Sequence, residues 1–452
     1  MEDTWQLKDD LYSLFQHNTH APIDGLRSIS CLMIIVLHII TFLNSFITPY
    51  PTHEWMTYLK SYSFRLSTLL SLSLETFFML SGFLLTLKCI EQNYFLTWKG
   101  YSIYIFRRAC RFWPGILLIT IVMLLLGEPK GNWMNLWLFY QNYVDMEQWS
   151  IGFASLWSIS LDMQMHILLP VVLYMIVSST SNYQKTYSAL YMLIILSIVY
   201  SLFVFNPQTM DLPTLVYRYN SMALLMPQRI FDWIITDYNV TLAFERPGVP
   251  SPIKPFMEKM YLPVISRYSS FIIGSVLALN LMNANSSNVT YYGKMKKYLY
   301  FTLIWLYMLI LTTPVEPAEV NHVLLTVVWS ITRQLFSTSQ AFILFSALCP
   351  STHPYHSSWI RSFLSLSIWT PIAKLSYLIY ILHFRIAFEL IMSNTNLFDL
   401  KQSSIDSLTP ICLVLVLIIC LILAIVWFVL VEKPFERVIN QLLSNNEKLH
   451  TK

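Results

Sequence analysis

Ionisable side chains set deep inside apolar runs are the residues of this sequence with the means to do chemistry. His38 stands among Leu32, Met33, Ile34, Ile35, Val36, Leu37, Ile39 and Ile40. An imidazole has a reference pKa of ~6.5, so it can take up and return a proton near neutral pH. A carboxylate such as Glu75 could orient that ring and stabilise the imidazolium. Asp162 and His166, four residues apart, share one helical face. Arg333 sits mid-way along a later apolar run, and His383, Arg385 and Glu389 along another. Charged groups in such runs are costly and mark substrate cavities or proton paths. The plainer alternative is a set of buried ion pairs that locks helices together. For any single residue the two readings are equally good. For the whole set a polar cavity is favoured, because ion pairs are an expensive way to hold a bundle together.

A second group is cationic. Arg107, Arg108 and Arg111 fall within five residues of one another, with Arg108 and Arg111 on one side of a helix start. Taken alone, the cluster reads as a signal that keeps this end of the helix in the cytoplasm. The functional alternative is a phosphate clamp, since guanidinium suits phosphate in charge and shape.

The elements that position these groups follow from composition. Of 452 residues, 55% are hydrophobic and only 12% charged. A soluble domain carries about 25% charge, so lipid is the solvent that fits. The sequence predicts an all-α, polytopic membrane bundle of about ten helices, each needing ~20 apolar residues. They are placed at 28–47, 66–87, 111–127, 156–177, 188–205, 263–282, 298–313, 322–349, 371–392 and 409–431. With both termini cytoplasmic, inner segments hold seventeen Lys and Arg residues. Short outer segments hold four: Lys60, Arg65, Lys130 and Lys401. That asymmetry supports the orientation. Residues 1–22 form a polar cytoplasmic segment without a cleavable apolar core. Residues 23–437 form the transmembrane domain, with a proline-rich outer loop at 206–262, and residues 438–452 form a cytoplasmic tail. The glycosylation sequon at Asn239 falls in the outer loop as expected, whereas those at Asn285 and Asn288 fall inside under the same orientation. The six cysteines show no CxxC and no metal-ligand spacing, and read as small packing residues. A net charge of +4 over this length gives no reason to expect nucleic acid as a partner.

Six fragments, in order, carry a resemblance. "IDGLRSISCLMIIVLH" sets Arg27 and His38 with ten residues between them. "LETFFMLSGFLL" sets Glu75 ahead of two phenylalanines and Leu-Ser-Gly. "YIFRRACRFWPGILL" is arginine-rich. "LWSISLDMQMHILLP" holds Trp157, Asp162, Met163 and Gln164. "LSYLIYILH" holds Ser376, Tyr377, Tyr380 and His383, and "VEKPF" follows the last helix. Together they resemble the acyltransferase-3 family, specifically its animal, nose-resistant-to-fluoxetine-like branch without that branch's N-terminal extracellular domain. The resemblance runs from about residue 22 to residue 437. Two departures stand out. His166 occupies a position usually aromatic, and Phe384-Arg385 follows His383 where proline is common.

The resemblance implies transfer of an acyl group from cytoplasmic acyl-CoA, a co-substrate, to a hydroxyl of a carbohydrate or lipid acceptor. No bound cofactor is implied. The expected roles are His38 as general base, Glu75 as its orienting partner, and Arg27 in donor binding or upkeep of the inner pocket. Arg107, Arg108 and Arg111 would bind the donor. Asp162, Gln164, His166, Arg333, Tyr377 and His383 would line the acceptor side or the cavity. The expected location is the endoplasmic reticulum or the plasma membrane. Rival readings are a proton-coupled secondary transporter, which mid-membrane charges would also serve, and a non-catalytic regulatory protein on the same fold. With only 10 glycines and no matched halves, the transporter reading lacks the paired broken helices such proteins show.

Overall fold

A computed structural model describes residues 7–16, 21–47, 70, 72–91, 97–126, 133–144, 155–179, 183–204, 262–284, 322–393 and 405–450. The described residues form thirteen α-helices: α1 (Leu7–Ser13), α2 (Ala21–Ile47), α3 (Ser73–Glu91), α4 (Trp98–Leu125), α5 (Met134–Trp137), α6 (Trp157–Ser179), α7 (Tyr183–Val204), α8 (Val264–Ala284), α9 (His322–Leu348), α10 (Ser358–Leu364), α11 (Trp369–Ser393), α12 (Ile405–Trp427) and α13 (Lys433–His450). A 3₁₀ turn at Gln141–Tyr143 follows α5, and a π-helical turn at Phe428–Glu432 joins α12 to α13.

The protein is a polytopic helical membrane protein. Among the described residues seven helices are long and apolar enough to cross a bilayer. An eighth span counts if α10 and α11, which meet at a 58° bend, cross as one. Helix α12 shows the reason at residue level. Its small side chains Cys412, Val416, Cys420 and Ala424 face the protein, while Ile411, Val414, Ile418, Ile422 and Val426 are exposed. In water that arrangement would be inside out. In lipid, aliphatic chains cost nothing outside, and small residues inside let helices approach closely. All six cysteines are free thiols, in keeping with a packing role.

Nine of the ten expected spans coincide with described helices, and the one at 298–313 lies outside the described residues. So do residues 206–261 of the expected outer loop and all three sequons. Two boundaries are corrected. The second span runs Ser73–Glu91 rather than 66–87. The third starts at Trp98 rather than 111, because the Thr97 side chain caps it by accepting the Gly100 N–H at 3.2 Å. The three arginines therefore lie within a 28-residue helix, not at its first turn. Helix α9 falls short of the apolarity of the others because Ser330, Thr332, Arg333, Gln334, Ser337 and Ser339 are buried among its neighbours. Asp10 of α1 pairs with Arg437 of α13, so the two terminal helices lie together at one end of the bundle. Lys374 donates to the carbonyls of Ser13 and Gln16 at 2.5 Å and ties α1 to the start of α11.

Candidate active site

Two helix pairs set the geometry. Helices α2 and α11 run parallel in matched register. Ser28 Oγ donates to the Trp369 carbonyl at 2.8 Å, Cys31 Sγ to the Ser376 carbonyl at 3.8 Å, and His38 meets His383. Helices α3 and α8 pack backbone to backbone. A Cβ at Gly82 would overlap the Phe271 carbonyl, and one at Gly274 the Met79 carbonyl. Only glycine allows that approach.

Helix α3 then shows two faces. Leu74, Phe77, Phe78, Ser81, Leu85 and Lys88 recur at helical spacing and line a cavity of about 360 Å³. Glu75, Met79, Gly82 and Thr86 recur one step round and face α8. The cavity is walled by Arg27 of α2, by Tyr104, Arg107, Arg108, Arg111 and Phe112 of α4, by Ser158, Asp162 and His166 of α6, and by Ser376, Tyr377 and Tyr380 of α11. Five cationic side chains and one carboxylate thus line it among the described residues. That carboxylate, Asp162, accepts from Arg108 at 2.6 Å.

Tyr380 lies at the cavity's deep end, about two and a half turns along α11 from the level of Arg27. Its hydroxyl donates to the Ser155 carbonyl and meets the Ser158 hydroxyl, both at 2.7 Å. Its ring centroid stands 5.4 Å from that of His383. His383 Nδ1 donates to the Tyr380 carbonyl at 2.6 Å, a group that can only accept. In the neutral ring Nε2 is therefore the acceptor, and His38 Nδ1 donates to it at 2.8 Å. The network assigns the lone pair of the pair to His38 Nε2. Neither histidine lines the cavity itself, and Phe384 packs edge-on to His38 at 4.9 Å.

Residues 21–430 match the family model described as the acyltransferase domain of acyltransferase-3 type. The chain belongs to the acyltransferase-3 family. No curated protein and no solved structure matches it.

Within this acyltransferase-3 domain the structure redistributes the expected residues. It brings Arg27, Arg107, Arg108 and Arg111 to one cavity, with Asp162, His166 and Tyr377. It does not bring Glu75 to His38. The Glu75 carboxylate is taken by Arg267 and by Ser270 Oγ at 2.6 Å, with Arg333 Nε at 3.9 Å. The physical reason is helical phase: the residue that follows Leu74 in sequence turns out of the cavity and into the α8 interface. The partner of His38 is instead His383. Arg333 joins the Glu75 group and does not line the cavity. Gln164 also points away. It donates to the Phe139 carbonyl at 2.8 Å and exchanges amide hydrogen bonds with Asn142 at 2.8 and 3.1 Å, pinning the 133–144 segment. Tyr377 donates to the Phe112 carbonyl at 2.7 Å and stands in the same wall as the arginines. Arg385 pairs with Glu389 one turn along α11.

Arg267 is the residue that sequence reasoning missed. It is 2% exposed, pairs with Glu75 and lies 5.2 Å from the Trp157 ring centroid. The signal was present. An arginine four residues into the apolar run 263–282 meets the same intramembrane-charge rule that singled out Arg333. Tyr380, named in the late motif but given no role, and Lys88, counted only among the inner charges, also line the cavity.

Proposed function

We propose that the protein transfers an acyl group from acyl-CoA, arriving at the cationic cavity from the cytoplasm, to a hydroxyl of a carbohydrate or lipid acceptor. Family membership gives the reaction class, acyl transfer. The observation that carries the finer reading is the sequence of groups along α2 and α11. Arg27 stands at the cationic end, Tyr380 at the deep end, and the His38–His383 pair one turn beyond. Arg27 and His38 are eleven residues apart, a rise of roughly 16 Å. Phosphates held at the arginines would leave an extended thioester arm to span that distance. Tyr380 separates cavity and imidazole, so its side chain must turn aside for the carbonyl to pass.

In this mechanism the acceptor oxygen attacks the thioester carbonyl carbon while His38 Nε2 takes its proton. Collapse of the intermediate breaks the C–S bond, and the imidazolium returns the proton to the departing thiolate. His383 holds His38 in the required tautomer by accepting from Nδ1. General-base help is worth roughly 10²–10⁴-fold. His38→Ala should lose about that much turnover, measured by mass spectrometry of acylated lipids and glycans, while still reaching its membrane. Unchanged acylation by that variant would remove His38 from the mechanism. Replacing Arg107, Arg108 and Arg111 together by Gln should raise KM for the donor by more than tenfold, since each charge-assisted bond is worth ~1.5–3 kcal/mol. An unchanged KM would leave them as topology signals alone.

A further inference from the structure

Among the described residues, hydroxyls apart, the polar lining of the cavity is cationic and can only donate, and its one carboxylate is engaged by Arg108. His166 departs from that pattern. It stands one turn beyond Asp162 on α6 and is 2% exposed, yet it lines the cavity. Its Nδ1 donates to the Asp162 carbonyl at 2.8 Å and lies 3.6 Å from Asp162 Oδ2. The ring is held on two sides, stacked on Tyr104 at 6.3 Å and edge-on to Phe271 at 6.2 Å. With Nδ1 committed as donor, the neutral ring keeps its lone pair on Nε2. A fixed nitrogen acceptor thus sits in a wall otherwise built for anions. A plain aromatic ring would fill the same space and accept nothing.

We infer that His166 Nε2 accepts an N–H or O–H of the coenzyme portion of the acyl donor, and so acts as a specificity-determining residue for the donor carrier. This rests on the acyl-CoA reading of the cavity. Phosphate charge is met by the arginines, which do not distinguish one phosphate ester from another. A single directed acceptor supplies a discrimination that charge cannot, because a ligand lacking the matching donor leaves Nε2 desolvated and unpaired.

The test uses the full chain in lipid nanodiscs, with CoA as the probe and titration calorimetry as the readout. His166→Phe should keep the melting temperature and weaken CoA binding by roughly tenfold, the worth of about one hydrogen bond. His166→Gln, whose amide oxygen reaches the place of Nε2, should restore most of the affinity. Should phenylalanine not pack, His166→Met carries the same comparison with glutamine. Pantetheine, which lacks the nucleotide, places the contact: a loss seen with CoA alone assigns it to the nucleotide, and a loss seen with both assigns it to the arm. Equal CoA affinity in wild type and His166→Phe would overturn the inference while leaving the donor reading intact. So would equal losses in the phenylalanine and glutamine variants. Failure of the wild type to bind CoA would instead overturn the donor reading itself.

Discussion

Helix α3 touches two polar regions of different construction. On one face Ser81 and Lys88 look into a cavity shared with Arg27, Arg107, Arg108, Arg111 and His166. On the adjacent face Glu75 meets Arg267 and Arg333 across a contact close enough to need glycine at 82 and 274. Both regions put charge where lipid would make it costly. The Glu75 group fills its space with hydroxyls: Ser270 donates to the carboxylate, Ser337 to Ser270 at 2.9 Å, and Gln334 lies 3.2 Å from Ser269. Glu75, Arg267 and Arg333 do not line the cavity. The cavity keeps about 360 Å³ open beside its cations. On the proposed function, the cavity rather than the Glu75 group receives the donor.

That contrast can be broken in several ways. The largest expected effect on folding comes from Glu75→Ala. Removing one partner of a buried pair leaves the other charge uncompensated, at ~3–5 kcal/mol. The variant should show a sharply lower melting temperature in detergent, and His38→Ala a smaller drop, the cost of a void and an unpaired His383 acceptor. If Glu75→Ala instead melted normally and lost turnover, Glu75 would belong to the chemistry and the division drawn here would fall. Next in size is Gly274→Val. Overpacking a filled contact costs ~1–3 kcal/mol, so this variant should lower the melting temperature moderately without changing KM for the donor. A normal melting curve would show that α3 and α8 can separate at little cost.

The smallest effect concerns a histidine outside the spans. His353, in the turn between α9 and α10, packs on Phe345 and Tyr355, each at 5.3 Å, and its Nδ1 accepts the Tyr355 N–H at 3.3 Å. Burial holds its pKa below the ordinary 6.5. The unfolded chain therefore takes up this proton first as pH falls. The stability of the turn is intact above about pH 6.5 and declines as pH drops through the folded value. The melting temperature of wild type should fall slightly more between about pH 7.5 and 5 than that of His353→Leu. Parallel curves would remove His353 from the turn's stability.

Much of the fold was readable because lipid imposes simple rules. Apolar length gave the spans, and nine recur as described helices. The start of α4 was missed because the arginines were taken as flanking charge, although Thr97 carried a capping signal upstream. Of the site, the arginine cluster was legible as a group because its members share one helix. Pairing across helices was not. Glu75 lies 37 positions after His38, and nothing in that separation says which face of α3 it occupies relative to α2. Arg267, its real partner, is 192 residues away.

The sequence by itself determined that this chain is a helical membrane protein of the acyltransferase-3 type, because solvent class depends on composition and motif order depends on local spacing. Only the tertiary structure decided which ionisable groups meet. A one-residue step along a helix turns a side chain by about 100°, enough to move Glu75 from a cavity wall into a helix interface. That turn, together with the matched register of α2 and α11, set His383 rather than a carboxylate against His38.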